Sequence, residues 1–419
     1  MMTTRRQFSR LALAALASGT ALASGGAFAQ GINLAATIDP NGANWGQGFD
    51  PSSKTISFDV DSHTPIASPS TIGNIQYALD SYTRMAQAGG WPKVPDAETL
   101  RIGQRGPAIS VLRQRLAATG DIASEAGIGD TFDTFVQAAV VRFQTRHGIL
   151  ADGIVSTQTF HELNVPVEQR IEQLRVNAAR LQELGIDLGE RYIMVNIPGA
   201  QIEVVEQGRV VQRHTAIVGK VDRPSPLLTS KISEINFNPY WNAPESIVRR
   251  DIIPKMQEDP EYLSKFNIRV YDQQGNELQP ETVDWNTVDS TKILLRQDPG
   301  DVNSMGFMKI NFPNKHAVYM HDTPSQELFG TNGRFYSSGC VRVQNIRELA
   351  AWILQPNGEW PRSRIDQVIR SGERLDVPVE SRPSLYFAYV TAWVTDDGMV
   401  NFRPDIYNRD AAGLLANDT

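Results

Sequence analysis

Cys340 is the only cysteine in a chain of 419 residues, set in the run Tyr336-Ser337-Ser338-Gly339-Cys340-Val341-Arg342-Val343. His321 lies upstream in Tyr319-Met320-His321-Asp322-Thr323-Pro324. A thiol with an imidazole in reach is the pair that nucleophilic acyl transfer requires. Small residues before the cysteine leave the sulfur accessible and free backbone N–H groups to face an oxyanion, while Arg342 can hold an anionic substrate. A free cysteine is most often a small buried hydrophobe. The Ser-Ser-Gly run, however, suits a turn better than a core.

Ala317 to His321 reads as a strand, on which alternation puts Ala317, Tyr319 and His321 on one face and His316, Val318 and Met320 on the other. His316 and His321 then point apart, His214 is distant and Cys340 is alone, so no metal site is expected. A base for the thiol must be held in one tautomer by a third group. Asp322 is the adjacent candidate, yet neighbours on an extended chain point apart, and a backbone carbonyl near 322 would orient the ring as well. Imidazolium beside the thiol is expected to enlarge its thiolate fraction at neutral pH.

The elements that must position these groups are β in texture. Runs at 192–197, 201–206 and 210–218, with Gln207-Gly208 as a hairpin turn, predict a mostly antiparallel sheet. Trp241-Asn242-Ala243-Pro244 opens a different stretch, helical over 247–256 and mixed to Trp285, before sheet texture returns at 292–295. It reads as an insertion over about 243–291, a lid or binding loop. Upstream, the spacing of Ile72, Ile75, Leu79, Tyr82 and Met85 predicts a helix ending at Gly89-Gly90, and a charged helix is expected over 167–184.

The first residues, with Arg5-Arg6 before an apolar stretch from Leu11 to Ala23 and Ala27-Phe28-Ala29 after it, read as a cleavable twin-arginine-type export signal over 1–29. A periplasmic location is expected. Residues 30–70, rich in Gly, Ser, Asn, Asp and Pro, read as a poorly ordered leader. The net charge of −7 includes Arg5, Arg6 and Arg10, so the chain without its signal carries about −10 and suits nucleic acid poorly. No segment after the signal is long and apolar enough to span a bilayer, so no stable membrane insertion is expected.

Two resemblances join these features. Leu100-Arg101-x-Gly103-x-x-Gly106, Leu112-Arg113-Gln114, Phe143-Gln144-x-x-His147-Gly148 and Asp152-Gly153 resemble the small three-helix peptidoglycan-binding module, over 98–166. The His321 and Cys340 runs resemble the L,D-transpeptidases of the YkuD type. Trp241-Asn242-x-Pro244, Asn303-x-x-Gly306-x-x-Lys309 and Phe312-Pro313-Asn314 are similar to the large YcbB-like branch.

The fold implied is α+β and multidomain. A mainly antiparallel, YkuD-like catalytic sheet domain occupies 190–410 with its capping insertion. A helical scaffold at 71–97, the module, a connecting helix at 167–189 and a tail at 411–419 complete the chain.

The resemblance implies that Cys340 attacks a tetrapeptide stem of peptidoglycan, expels terminal D-alanine and passes the acyl group from a thioester to a diamino-acid amine of another stem. His321 would act as acid and base, and no cofactor is required. Gly339 and Cys340, aided by Tyr319, would bind the oxyanion, with Ser338 shaping the loop. Arg342, Trp241 and Asp322 are the candidate substrate-binding residues. Water or a protein amine as acceptor, or a non-catalytic wall-binding scaffold, are the alternatives.

Overall fold

The computed structural model describes residues 63–95, 99–185 and 188–411. The expected export signal, the leader up to residue 62 and the tail from 412 lie outside them. The end of the segment read as leader is folded, in contrast to the expectation. Ile66 and Ala67 are buried, the Ile66 amide donates to Glu203 at 2.8 Å, and Ser68 caps the first helix by accepting from the Thr71 amide. Low-complexity polar composition concealed this because two apolar residues suffice for the anchor.

That helix, α1 (Pro69–Gln87), lays Ile75, Leu79 and Tyr82 against Ile171, Leu174 and Leu181 of the connecting helix. Between them in the chain, α2 (Pro107–Ala118), α3 (Thr134–Arg146) and α4 (Thr157–Leu163) close around their own core of Leu112, Leu116, Phe132, Val140, Phe143 and Leu163. Buried Gln144 ties this module together. Its amide nitrogen donates to Asp152, to the Ile154 carbonyl and to Thr159, and its oxygen accepts from the Gly153 amide. The connecting helix, α5 (Val167–Leu184), has the bounds expected from its stripe.

The main sheet runs in the order β14 (Leu375–Pro378), β5 (Glu234–Phe237), β10 (Met308–Asn311), β11 (Met320–His321), β13 (Val341–Val343), β3 (Arg209–Gly219), β2 (Gln201–Glu206), β1 (Arg191–Asn196), β15 (Ser384–Ala388) and β4 (Leu228–Lys231). β12 (Phe335–Ser337) lies beside β3. Pairings are antiparallel except β1–β15, β11–β13 and β12–β3. Gln207 and Gly208 both have positive φ, as the tight β2–β3 hairpin demands.

The two halves of this sheet are buried differently. β1 and β2 are buried on almost every residue. One face meets the core beneath helices Ile346–Leu354 and Arg362–Ser371, and the other meets the α1/α5 layer. β5, β10 and β13 alternate buried and less buried residues, so their second face is open to a different partner.

That partner is the insertion, which is larger than expected. β6 (Trp241–Asn242), β7 (Ile268–Asp272), β8 (Glu277–Leu278) and β9 (Ile293–Gln297) form a separate sheet in the order β6-β9-β7-β8. Trp241, Val248, Met256, Leu263, Leu295 and Met305 give the cap its own core. Residues 292–295 are thus cap, not the return of the main sheet. Strand periodicity cannot tell which sheet a strand joins. The terminal hairpin of β16 (Ala392–Val394) and β17 (Val400–Phe402) also leaves the main sheet and packs with α1 and α5.

Candidate active site

Strand pairing assembles the site. Asp376 of β14 lies opposite Asn236, Asn236 opposite Lys309, Lys309 opposite His321, and His321 opposite Arg342. Directly opposed residues share a sheet face, so five strands present one polar row: Asp376, Asn236, Lys309, His321, Arg342. Their neighbours Ile235, Met308, Ile310, Met320, Val341 and Val343 turn the other way into the core. The cap covers the row, and Tyr319 packs against the cap's core.

The expected strand at 317–321 is shorter than it reads. Ala317 has φ 53°, and regular pairing covers only Met320–His321. Asn314 captures this bend, accepting from the His316 and Val318 amides and donating to the Val318 carbonyl. The parity of Tyr319 and His321 survives, with ring centroids 5.5 Å apart.

His321 Nδ1 lies 2.5 Å from the Asp322 carbonyl oxygen. A carbonyl only accepts, so Nδ1 carries the hydrogen and Nε2 keeps its lone pair. The backbone is therefore the orienter. The Asp322 carboxylate is engaged elsewhere, accepting from the Phe307 amide at 3.1 Å and from Gln326 at 3.3 Å. It is buried, and burial raises its pKa. It braces the loop before β10 and does not orient the ring. Gly306 makes this possible, since a Cβ there would stand 2.5 Å from Asp322 Oδ2.

Cys340 is half-buried at the end of a turn held by hydroxyls. Ser337 Oγ donates to the Cys340 carbonyl at 2.5 Å and accepts from the Gly339 amide at 3.1 Å. Ser225 Oγ donates to the Gly339 carbonyl at 2.8 Å. Tyr407 donates to the Gly219 carbonyl at 2.5 Å and accepts from the Ser225 amide. Gly339, at φ 111°, occupies a conformation that side chains disfavour. Its amide is already taken, which corrects its expected oxyanion role.

Ser338 is exposed and accepts from Arg223 at 2.9 Å. Arg223 also pairs with Asp251 of the cap at 2.5 Å, so one side chain joins cap and catalytic turn. Trp241 is packed into the cap core, and hydrogen bonding with both Trp241 and Cys340 acts on the Tyr319 hydroxyl. It positions Tyr319 rather than lining a substrate surface.

Burial pushes the Cys340 thiol up to about 11, against hydrogen bonding from Tyr319 and the charges of Lys309 and Arg342. Burial and the Arg342 charge, reinforced by Lys309, push His321 down to about 3, against its bond to Asp322. Both shifts favour the neutral forms. The expected enlargement of the thiolate fraction does not occur in the resting site, because desolvation outweighs the nearby charges.

Ser225, Ser337, Tyr407 and Arg223 escaped the sequence reading. Ser337 stood inside the quoted run, but the others act on residues more than a hundred positions away, and no local pattern marks them. Among the described residues no group of three or more His, Cys, Asp or Glu is placed to hold a metal ion, and no helix is long and apolar enough to cross a membrane.

Residues 190–375 match the family model described as the L,D-transpeptidase catalytic domain, YkuD. Residues 105–163 match the model described as "Putative peptidoglycan binding domain". A curated protein of Haemophilus influenzae (strain ATCC 51907 / DSM 11121 / KW20 / Rd), described as "Putative L,D-transpeptidase", is 37% identical over 246 residues, which cover 58% of this chain and 49% of that protein. The chain thus spans about half the length of this curated relative.

Among solved structures, an L,D-transpeptidase from Mycobacterium smegmatis has a TM-score of 0.24 at 15% identity, over 48% of this chain and 58% of that one. An L,D-transpeptidase from Stackebrandtia nassauensis has a TM-score of 0.25 at 13% identity, over 71% and 96%. Residues 190–375 are thus similar to the L,D-transpeptidase catalytic domain of the YkuD type, and residues 105–163, upstream of them, to a putative peptidoglycan binding domain.

Proposed function

We propose that the protein is a cysteine-dependent L,D-transpeptidase of peptidoglycan, of the YcbB-like branch, exported to the periplasm by its twin-arginine-type leader. The observation that carries this reading is the fixed tautomer of His321, which leaves Nε2 as a base beside the Tyr319 ring, and Tyr319 in turn hydrogen-bonds Cys340.

The thiol of Cys340 adds to the carbonyl carbon of the third stem residue as its proton passes to His321 Nε2. The resulting oxyanion takes hydrogen bonds from the Cys340 amide and the Tyr319 hydroxyl. Collapse breaks the bond to D-alanine, whose amine leaves with the proton from His321. A diamino-acid amine of a second stem then attacks the thioester, His321 takes its proton, and the thiol is restored. The energy of the broken peptide bond is kept in the thioester, so no nucleotide enters the balance.

A substrate carboxylate beside Arg342 would neutralise the charge that depresses His321 and raise its basicity as the complex forms. The cap, joined to the turn through Arg223, would keep water from the thioester.

Mass spectrometry of muropeptides after incubation with purified protein tests the reading. Cross-linked dimers are expected, lost in Cys340→Ala and His321→Ala. Tripeptides without dimers would instead establish an L,D-carboxypeptidase, and an unchanged pool with an inert Cys340 would leave only a wall-binding role.

A further inference from the structure

The polar row does not stop at the catalytic pair. Beyond Lys309 it opens into a cavity of about 330 Å³ between the main sheet and the cap. The sheet contributes Lys309, Asn236 and Asp376, and the cap contributes Asn242 and Arg296, which oppose each other across β6 and β9. Arg374 also lines it.

The charges in this cavity do not balance. Arg374 pairs with Asp376 at 2.9 Å, and the second Asp376 oxygen accepts from Asn236 at 2.7 Å. Among the described residues, neither Arg296 nor Lys309 has a carboxylate at ion-pair distance. Arg296 lies between Tyr240 and Tyr271, its carbon 4.7 Å from each ring centroid, and donates to the Tyr271 hydroxyl at 2.5 Å. Its Nε is buried without a partner. Lys309 Nζ lines the cavity 4.4 Å from the Tyr319 ring centroid, and its charge also acts on the Cys340 thiol.

A guanidinium held by two tyrosine rings and an ammonium lining the same cavity, neither with a carboxylate partner, fit a planar anion of one charge. The Asp376 carboxylate at the far wall disfavours a dianion such as phosphate. We propose that this cavity is a carboxylate-binding subsite for a peptide stem, continuous with the Cys340 site along the polar row. The inference rests on the transpeptidase reading, because that reading supplies carboxylate-bearing stems as substrate. The carboxylate belongs either to the donor stem or to the acceptor.

Titration of the Cys340→Ala protein with a tetrapeptide stem ending in a diamino acid and D-alanine, and with the same stem fully amidated, tests the subsite without chemistry. The free acid should bind roughly tenfold more tightly. Arg296→Gln should abolish that preference, and Asp376→Asn should enlarge it. Equal affinity for the two peptides, a preference unmoved by both variants, or no binding of either peptide would overturn the subsite. D-alanine release by the wild-type protein is read separately. Carboxylate-dependent binding without release would overturn the transpeptidase reading and leave the subsite standing.

With hydroxylamine as a small neutral acceptor, Arg296→Gln slows release roughly tenfold when the donor fills the cavity. When the acceptor fills it, release is unchanged and only the KM for the amine stem rises.

Discussion

Three ion-paired cations in the helical module and its connecting helix and three cations in the sheet and cap have opposite surroundings. In the module and its connecting helix, Arg146 meets Asp121 at 2.7 Å, Arg170 meets Glu162 at 2.5 Å, and Arg113 pairs with Asp133. In the sheet and cap, Arg342, Lys309 and Arg296 have no carboxylate at ion-pair distance among the described residues. An uncompensated charge away from water is costly. The paired cations of the module hold the structure, and those over the sheet are arranged for an anion that comes from outside.

The contrast breaks most sharply at Arg146. Arg146→Met strands the buried Asp121 carboxylate and should destabilise the protein by about 3–5 kcal/mol, read by urea unfolding. Arg342→Met removes a cation that no acid balances. Its unfolding free energy should be unchanged or higher, while D-alanine release falls about 100-fold, roughly 2.7 kcal/mol in barrier. A stability loss as large as that of Arg146→Met would erase the distinction.

The resting site makes a prediction in pH. With the Cys340 thiol raised to about 11, the thiolate is the minor form below that value. Iodoacetamide labelling of the folded protein should therefore climb about tenfold per pH unit from 6 to 9. A plateau near pH 7 would show an ion pair with His321 instead.

The smallest effect belongs to Arg223, a part-exposed link. Arg223→Gln should cost no more than about 1 kcal/mol, yet hasten hydrogen exchange in the cap strands and the 337–340 turn together. Acceleration of only one would show that the link does not couple them.

Much of this site was legible in the chain because its signals are local. The parity of Tyr319 and His321, the turn composition before Cys340 and the carbonyl at Asp322 all concern residues a few positions apart. What was missed depends on pairing across the fold. Ile293–Gln297 has the alternation of any strand, and only its neighbours β6 and β7 assign it to the cap. The oxyanion role expected of Gly339 failed because Ser337 takes its amide, a contact that composition cannot distinguish from one made by Ser338. The thiolate expectation weighed the imidazole and not the desolvation that a cap imposes.

The raised thiol has a consequence for chemistry outside the reaction. At pH 7 the thiol form of Cys340 dominates, and the thiolate through which alkylation, oxidation and disulfide exchange proceed is the minor form. A solitary cysteine can thus endure oxidants and stray thiols without a second cysteine to shield it. The same property narrows the choice of inhibitor: an electrophile that relies on a standing nucleophile will react slowly, and a potent one must bring its own anion to the unpaired cations beside the sulfur.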